Sequence, residues 1–190
     1  KIEGALKTGG RVAEIAEMIN RAERPVIYFG GGVAASDAGD ELNELLEIAD
    51  IPATYTLMAA GILGYENKRN LGLIGMHGSI AANRAVDRAD LLIALGCRFS
   101  DRVALNPEKF ARRAKKVQVD IDKSEINKNV LVDKSVISDV KDFLQKLLPL
   151  IEKRDHAEWV AQSTEWKKKT GDVKCQDAEL HPSEIVTAVC

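Results

Sequence analysis

The chain has 190 residues, of which 45% are hydrophobic and 29% are charged, and its formal net charge is −2. This composition is typical of a globular domain and excludes intrinsic disorder, a collagen-like repeat and a disulfide scaffold. No segment concentrates basic residues, so we expect no binding to nucleic acid. No apolar run reaches the roughly 20 residues of a membrane span, so we expect no binding to a membrane. No signal-peptide core is present, so we expect a cytoplasmic protein.

Two hydrophobic periodicities alternate along the chain and predict helices and strands in turn. Apolar residues at helical spacing predict helices over 9–22, from Ser36 as N-cap to Ala49, over 78–89, from Asp139 as N-cap to Pro149, and over 155–170. Short apolar runs predict strands at 26–29, 53–57, within 71–78, and at 91–95, 117–121 and 135–138.

The alternation of strands and helices predicts an α/β fold. Because parallel strands need crossover helices, we expect a doubly wound sheet of about six parallel strands with helices on both faces. Residues 26–29 and 91–95 are apolar without interruption, which predicts that they are the central strands. We assign residues 1–153 to this domain and residues 154–190 to a following helix and linker.

The three cysteines are odd in number, widely spaced and without a C-x-x-C pair, which disfavours a zinc site or a disulfide framework. They are Cys97, Cys175 and Cys190. Cys97 follows an apolar strand, where a small buried residue is a better interpretation than a nucleophile.

The predicted strand ends carry residues that suit an adenine dinucleotide, and ligands of open parallel sheets bind at these ends. Glycines allow close backbone approach to a phosphate, arginines neutralise it, aspartates accept hydrogen bonds from ribose, and apolar side chains cover a flat ring. These residues are Gly30, Gly31, Gly32, Gly75, Gly96, Arg98, Arg102, Asp120, Asp122, Asp139, Leu57, Met58 and Met76.

Each of these features has a purely structural alternative. The glycine triplet could serve only a tight strand-to-helix turn, and a lone His77 is more often structural than catalytic. Arg98 and Arg102 could pair with the acidic residues of their own loop, Asp101 and Glu108.

Two chemical classes are disfavoured by the same strand ends. Residues 30–35 match G-x-G-x-x-A, but residues 53–56 supply no acid for a nicotinamide dinucleotide ribose. Asp120 and Asp122 are predicted on opposite faces of a strand end, so a paired acid and base is not expected.

Several blocks in collinear order resemble the catalytic subunit of the acetohydroxyacid synthase (acetolactate synthase) family, whose members use thiamine diphosphate. The resemblance covers about residues 10–150 and fits the central, Rossmann-like domain of a three-domain subunit. Its most specific part is GMHG followed by GCRFSDRV. The other blocks are RPVIYFGGGV, TLMAAGILG, VDIDKSEINKNV and ISDV.

The resemblance implies that this domain binds FAD, with little or no redox role for the flavin in the net reaction. It implies flavin contacts at Gly30, Gly31, Gly32, Thr56, Leu57, Met58, Gly75, Met76, His77, Gly96, Cys97, Arg98, Arg102, Val103, Asp120, Ile121, Glu125, Asp139 and Val140. Two positions depart from the family pattern: Ser100 replaces an acid, which puts a contact by that carboxylate in doubt, and Cys97 replaces a usual alanine.

The family's motif for thiamine diphosphate and Mg²⁺, which begins with G-D-G, is absent from these 190 residues. The activating glutamate of the family belongs to its N-terminal domain. We therefore expect no catalytic residue and no metal ligand in this chain, and a C-terminal segment that leads toward a diphosphate-binding domain. The resemblance further implies a homo-oligomeric parent and a regulatory small subunit.

The parent reaction implied by the resemblance is decarboxylation of pyruvate and transfer of the remaining two-carbon unit to a second 2-ketoacid, in branched-chain amino-acid biosynthesis. Three alternatives stay open: the same domain of a pyruvate oxidase, glyoxylate carboligase or 2-ketoacid decarboxylase; a ligand-free domain that only mediates assembly; and a deoxyhypusine-synthase-like or sirtuin-like NAD domain, which the absence of zinc cysteines disfavours.

Overall fold

The computed structural model describes residues 2–170, with side chains described for residues 10–168. Within these residues, six short strands form one fully parallel sheet. The strands are β1 (Pro25–Phe29), β2 (Ala53–Tyr55), β3 (Asn70–Leu73), β4 (Leu91–Leu95), β5 (Lys115–Asp120) and β6 (Lys134–Ile137). Their order across the sheet is β3-β2-β1-β4-β5-β6, which confirms the predicted doubly wound α/β fold. The predicted linker that follows the helix at 155–170 lies outside the described residues, as do Cys175 and Cys190.

Helices and short 3₁₀ turns connect the strands. The helices are α1 (Ile2–Arg21), α2 (Gly31–Ala35), α3 (Gly39–Ala49), α4 (Ile80–Arg88), α5 (Val140–Leu147) and α6 (Ala157–Thr170). The 3₁₀ turns are Leu57–Ala59, Lys123–Glu125 and Leu148–Leu150. No helix in residues 2–170 has both the length and the hydropathy that a membrane span requires.

The two central strands are the ones that the sequence predicts. β1 and β4 pair in parallel, with Val26 beside Leu92 and Tyr28 beside Ala94, and every residue of both strands is buried. Their uninterrupted apolar sequences are therefore explained by helices that cover both faces of the sheet.

Each face of the sheet has its own apolar core. Ile15, Leu45 and Phe143, from α1, α3 and α5, pack on one face, and Ala85 and Trp159, from α4 and α6, pack on the other. Strand side chains alternate between these cores, because successive residues of a strand point to opposite faces.

The start of α3 differs from the prediction. Ser36 is not its N-cap, because α3 begins at Gly39 behind Ala38, and residues 31–35 form the short helix α2. The physical reason is tertiary: the Gly32 N–H donates to the Gly96 carbonyl at 2.9 Å, and this contact brings the chain directly from β1 into a helical turn. The Ser36 hydroxyl then donates to the Gly32 carbonyl at 2.7 Å.

Helix α6 packs on α4 and is attached to the sheet by its first turn. The Trp159 indole N–H donates to the Pro25 carbonyl at 3.0 Å, and the Trp159 and Trp166 rings meet edge to face at 5.9 Å between centroids. The buried His156 precedes the helix. Its Nδ1 lies 2.8 Å from the Ala49 carbonyl oxygen and its Nε2 lies 2.9 Å from the Ala22 carbonyl oxygen.

Substituting His156→Ala should lower the free energy of unfolding by about 1–3 kcal/mol, because buried carbonyl oxygens then lose their partner. Urea denaturation followed by circular dichroism measures the change. Gln162→Ala, at an exposed position of α6, is the control and should stay within about 0.5 kcal/mol of the parent chain. Equal losses in the two variants would show that the His156 contacts contribute nothing specific.

Candidate cofactor site

The point where the sheet changes winding direction lies between the carboxyl ends of β1 and β4. There the Gly30 N–H donates to the Leu95 carbonyl at 3.0 Å, and the segments after the two strands are in backbone contact. A Cβ on Gly32 would lie 2.6 Å from Gly96 Cα, and one on Gly30 would lie 2.5 Å from Cys97 Cβ. Gly30 and Gly32 are thus required by the close approach of the segments that follow β1 and β4.

An open cleft of about 470 Å³ lies beside this turn, between the carboxyl ends of β1, β4, β5 and β6. Eight of the predicted site residues line it: Gly32, Gly96, Arg98, Asp120, Ile121, Asp122, Asp139 and Val140. Ser138, which also follows a predicted strand, lines it as well. The cleft also contains Ser36, which the sequence misses because it is predicted there as a helix cap.

Two aspartates of the cleft are held by backbone donors and keep an oxygen free. Asp120 Oδ1 accepts from the Asp122 N–H at 2.9 Å, and Asp139 Oδ1 accepts from the Lys141 N–H at 2.8 Å at the start of α5. Within residues 2–170 the second carboxylate oxygen of each has no protein hydrogen bond. Both side chains are therefore fixed acceptors that can still bind a hydroxyl group.

The turn after β5 brings a third aspartate into the cleft. The predicted opposite-face arrangement of Asp120 and Asp122 is wrong, because residues two apart on a strand share a face, and the turn that follows Asp120 keeps both side chains in the cleft. Hydrogen bonds from Ser124 lower the pKa of Asp122 below its ordinary value. The positive charges of Arg98 and Lys128 lower this pKa further, so Asp122 is a carboxylate at neutral pH.

The two predicted arginines differ in their surroundings. Arg98 Nε lies 3.8 Å from Glu125 Oε1, and the Arg98 side chain is 73% exposed at the edge of the cleft. Arg102 is exposed and makes no ion pair within the described part of the chain. Neither guanidinium makes an ion pair with Asp101 or Glu108 within the described residues, and Asp101 Oδ1 instead accepts from the Arg102 backbone N–H at 2.9 Å.

Apolar side chains lie exposed at the same edge of the sheet. They are Leu57 and Met58 after β2, Met76 after β3, and Ile121 after β5. The predicted strand 53–57 ends at Tyr55; the Thr56 N–H still donates to the Phe29 carbonyl at 3.0 Å, and the chain then continues as a 3₁₀ turn. The turn presents Leu57 and Met58 to solvent, next to the half-buried Thr56.

The loop after β3, which contains the GMHG block, contacts the loop after β4, which contains the GCRFSDRV block. The Met76 N–H donates to the Arg102 carbonyl at 2.9 Å, and a Cβ on Gly75 would lie 2.6 Å from the same oxygen. His77 is exposed beside this contact, and Val103 is half-buried beneath it. The loops after β3 and β4 therefore form one continuous surface.

Cys97 is buried below this surface. Its thiol donates to the Tyr28 carbonyl at 3.4 Å, and the Tyr28 hydroxyl donates to the Arg98 carbonyl at 3.0 Å. Burial raises the pKa of Cys97 well above its ordinary value, and the charge of Asp120 adds to this. The thiol is therefore in its unreactive, protonated form at neutral pH.

Native protein treated with iodoacetamide at pH 8 should leave Cys97 unmodified, because the raised pKa keeps the thiolate fraction low and burial blocks access. Mass spectrometry of the Cys97 peptide measures the modification, and the same reaction in urea is the control that should label it completely. Labelling of native protein as fast as in urea would contradict this account.

Among the described residues, no three His, Cys, Asp or Glu side chains are grouped as a metal site would require.

Residues 12–147 match the family described as thiamine pyrophosphate enzyme, central domain. A probable acetolactate synthase large subunit from Methanocaldococcus jannaschii is 44% identical over 161 residues, covering 83% of this chain and 27% of the relative. Acetolactate synthase isozyme 1 large subunit from Escherichia coli is 44% identical over 148 residues, covering 78% and 26%. Acetolactate synthase 1, chloroplastic, from Zea mays is 48% identical over 139 residues, covering 73% and 22%.

The chain spans about a quarter of the length of these relatives. The matched region contains all six strands and the loops that form the cleft. The chain therefore belongs to the family of thiamine pyrophosphate enzyme central domains.

Proposed function

We propose that this chain is the central domain of an acetolactate synthase large subunit and that it binds FAD along the carboxyl edge of its sheet. One observation carries the proposal: a cleft lined by three aspartates and an arginine lies beside a group of exposed apolar side chains at the carboxyl ends of the strands. A dinucleotide with one flat apolar ring system needs both kinds of surface.

The residues present fit such a cofactor. The cleft volume lies within the range of about 300–1,000 Å³ that is usual for ligand pockets. The free oxygens of Asp120 and Asp139 suit the hydroxyl groups of a ribose, and the exposed Arg98 and Arg102 suit a diphosphate. Leu57 and Met58 offer an apolar surface to a flat ring.

The proposed contact set is the one that the family resemblance implies. It consists of Gly30, Gly31, Gly32, Thr56, Leu57, Met58, Gly75, Met76, His77, Gly96, Cys97, Arg98, Arg102, Val103, Asp120, Ile121, Glu125, Asp139 and Val140. Cys97 and Val140 are both buried, and Gly30 and Gly32 support the site chiefly through packing.

We propose that the whole protein decarboxylates pyruvate and joins the remaining two-carbon unit to a second 2-ketoacid. Thiamine diphosphate, held with Mg²⁺ by residues outside this chain, would supply the electron sink. This domain, residues 1–153, would bind FAD and pack against the other domains, and residues 154–190 would lead toward the diphosphate-binding domain. We further propose a cytoplasmic homo-oligomer with a regulatory small subunit.

Titration of the purified chain with FAD, followed by quenching of flavin fluorescence, tests the proposed site. Arg102→Ala should weaken binding by about 1–3 kcal/mol, the free energy of a charge-assisted hydrogen bond. Arg113→Ala is the matched control and should leave the Kd unchanged, because Arg113 is exposed just before β5, at the amino ends of the strands.

Equal dissociation constants for the chain and Arg102→Ala would remove Arg102 from the site. A chain that quenches no flavin fluorescence at any concentration would favour the alternative of a ligand-free domain that only mediates assembly.

A further inference from the structure

A buried carboxylate lies between two cations at the edge of the cleft. The Glu125 side chain is 7% exposed, and its Oε1 lies 2.8 Å from Lys128 Nζ and 3.8 Å from Arg98 Nε. The backbone of the same residue is held from below, because the buried Gln118 donates from Nε2 to the Glu125 carbonyl at 3.2 Å. Glu125 is thus fixed in place, and removing its cationic partners would leave a buried carboxylate unpaired.

The two cations compete for the same oxygen atom. Lys128 makes the short contact with Glu125 Oε1, and Arg98 approaches only to 3.8 Å. Without the ammonium group, Arg98 would be the nearest cation to a buried carboxylate. A guanidinium then gains two parallel hydrogen bonds by moving onto that carboxylate, and it leaves the cleft as it does so.

We propose that Lys128 is a positioning residue that keeps Arg98 available to an anionic ligand by satisfying Glu125. Lys128 itself does not line the cleft, and the residues implied by the family resemblance do not include it. The inference rests on the proposed binding of FAD, whose diphosphate is the anion that Arg98 would meet.

Titration of the chain with FAD tests this inference in three variants. Lys128→Met should raise the Kd about three- to tenfold, and Lys128→Arg should restore it to near the parent value. Lys123→Met is the matched control: it removes one positive charge from the same turn, and Lys123 makes no ion pair within residues 2–170. We expect its Kd to change less than about twofold.

Two further backgrounds separate positioning from general stability. In Arg98→Gln, and also in Glu125→Gln, adding Lys128→Met should change the Kd less than about twofold. The Glu125→Gln background leaves no unpaired buried charge, so folding of the double variant is not at risk.

Additive losses in either background, or equal losses in Lys123→Met and Lys128→Met, would overturn the inference. A parent chain that binds no FAD would reject the proposed function, whereas a binding-competent parent with an unaffected Lys128→Met variant would reject the inference alone.

Discussion

Supplied with pyruvate, thiamine diphosphate, Mg²⁺ and FAD, the 190-residue chain should form no acetolactate above background. Decarboxylation of a 2-ketoacid needs an electron sink for the developing carbanion, and thiamine diphosphate is that sink. The protein must hold this cofactor through Mg²⁺, which requires near-octahedral oxygen ligation. The chain lacks the G-D-G motif from which the family builds that site. FAD does not replace it, because net carboligation transfers no electrons.

A colorimetric acetoin assay after acid decarboxylation of the product measures this reaction. A complete acetolactate synthase assayed in parallel is the positive control, and the chain should remain at the level of a protein-free blank. Turnover that scales with the concentration of purified chain would overturn the assignment of the chemistry to other domains.

Gly32→Ala should destabilise the chain strongly and abolish FAD binding. The new methyl group would lie 2.6 Å from Gly96 Cα and 2.9 Å from the Gly96 carbonyl oxygen. Both atoms belong to the backbone at the centre of the sheet, so no side chain can rotate away. Overpacking of a core typically costs about 1–3 kcal/mol and more where the backbone must move. Thermal denaturation and FAD titration of the same preparation measure both effects.

Gly64→Ala is the matched control, because a Cβ at this position meets no atom within 4 Å. This variant should keep the stability and the FAD affinity of the parent chain. If Gly32→Ala behaved like Gly64→Ala, the close packing of the segments after β1 and β4 would be wrong.

The central strands of the sheet could be predicted because a strand that is buried on both faces has an uninterrupted apolar sequence. Residues 26–29 and 91–95 are apolar throughout, and both became fully buried central strands. Helix α5 was similarly predictable, since Asp139 caps it and Pro149 follows it in a 3₁₀ turn. In each case the local pattern and the tertiary environment favour the same conformation.

The start of α3 and the end of β2 could not be predicted, because contacts distant in sequence decide them. Gly32 begins a helical turn through its hydrogen bond to Gly96, and after the last sheet hydrogen bond, from Thr56 to Phe29, the chain enters a 3₁₀ turn. The local hydrophobic pattern gives no information about either of these distant partners. Helix propensity therefore predicts Ser36 as the N-cap of α3, whereas Ser36 follows the short helix α2.

The sequence predicts which residues lie at the candidate site, but it does not predict which charged side chains form ion pairs there. The parallel order of the strands implied that Gly30, Gly96 and Asp120 share one edge of the sheet, and they do. The partner of Arg98 required the folded chain, because Glu125 lies on a turn whose direction is set after β5 ends. The contact of Lys128 with Glu125 depends on the same turn.

Equilibrium dialysis of the purified chain against FAD tests the central claim most directly, because it detects weak binding without depending on a spectral change. Flavin absorbance should be higher in the protein chamber than in the opposite chamber, should saturate as FAD increases, and should fall when Gly32→Ala replaces the parent chain. Equal flavin absorbance in the two chambers at every FAD concentration would contradict the proposal that this edge of the sheet is a flavin site.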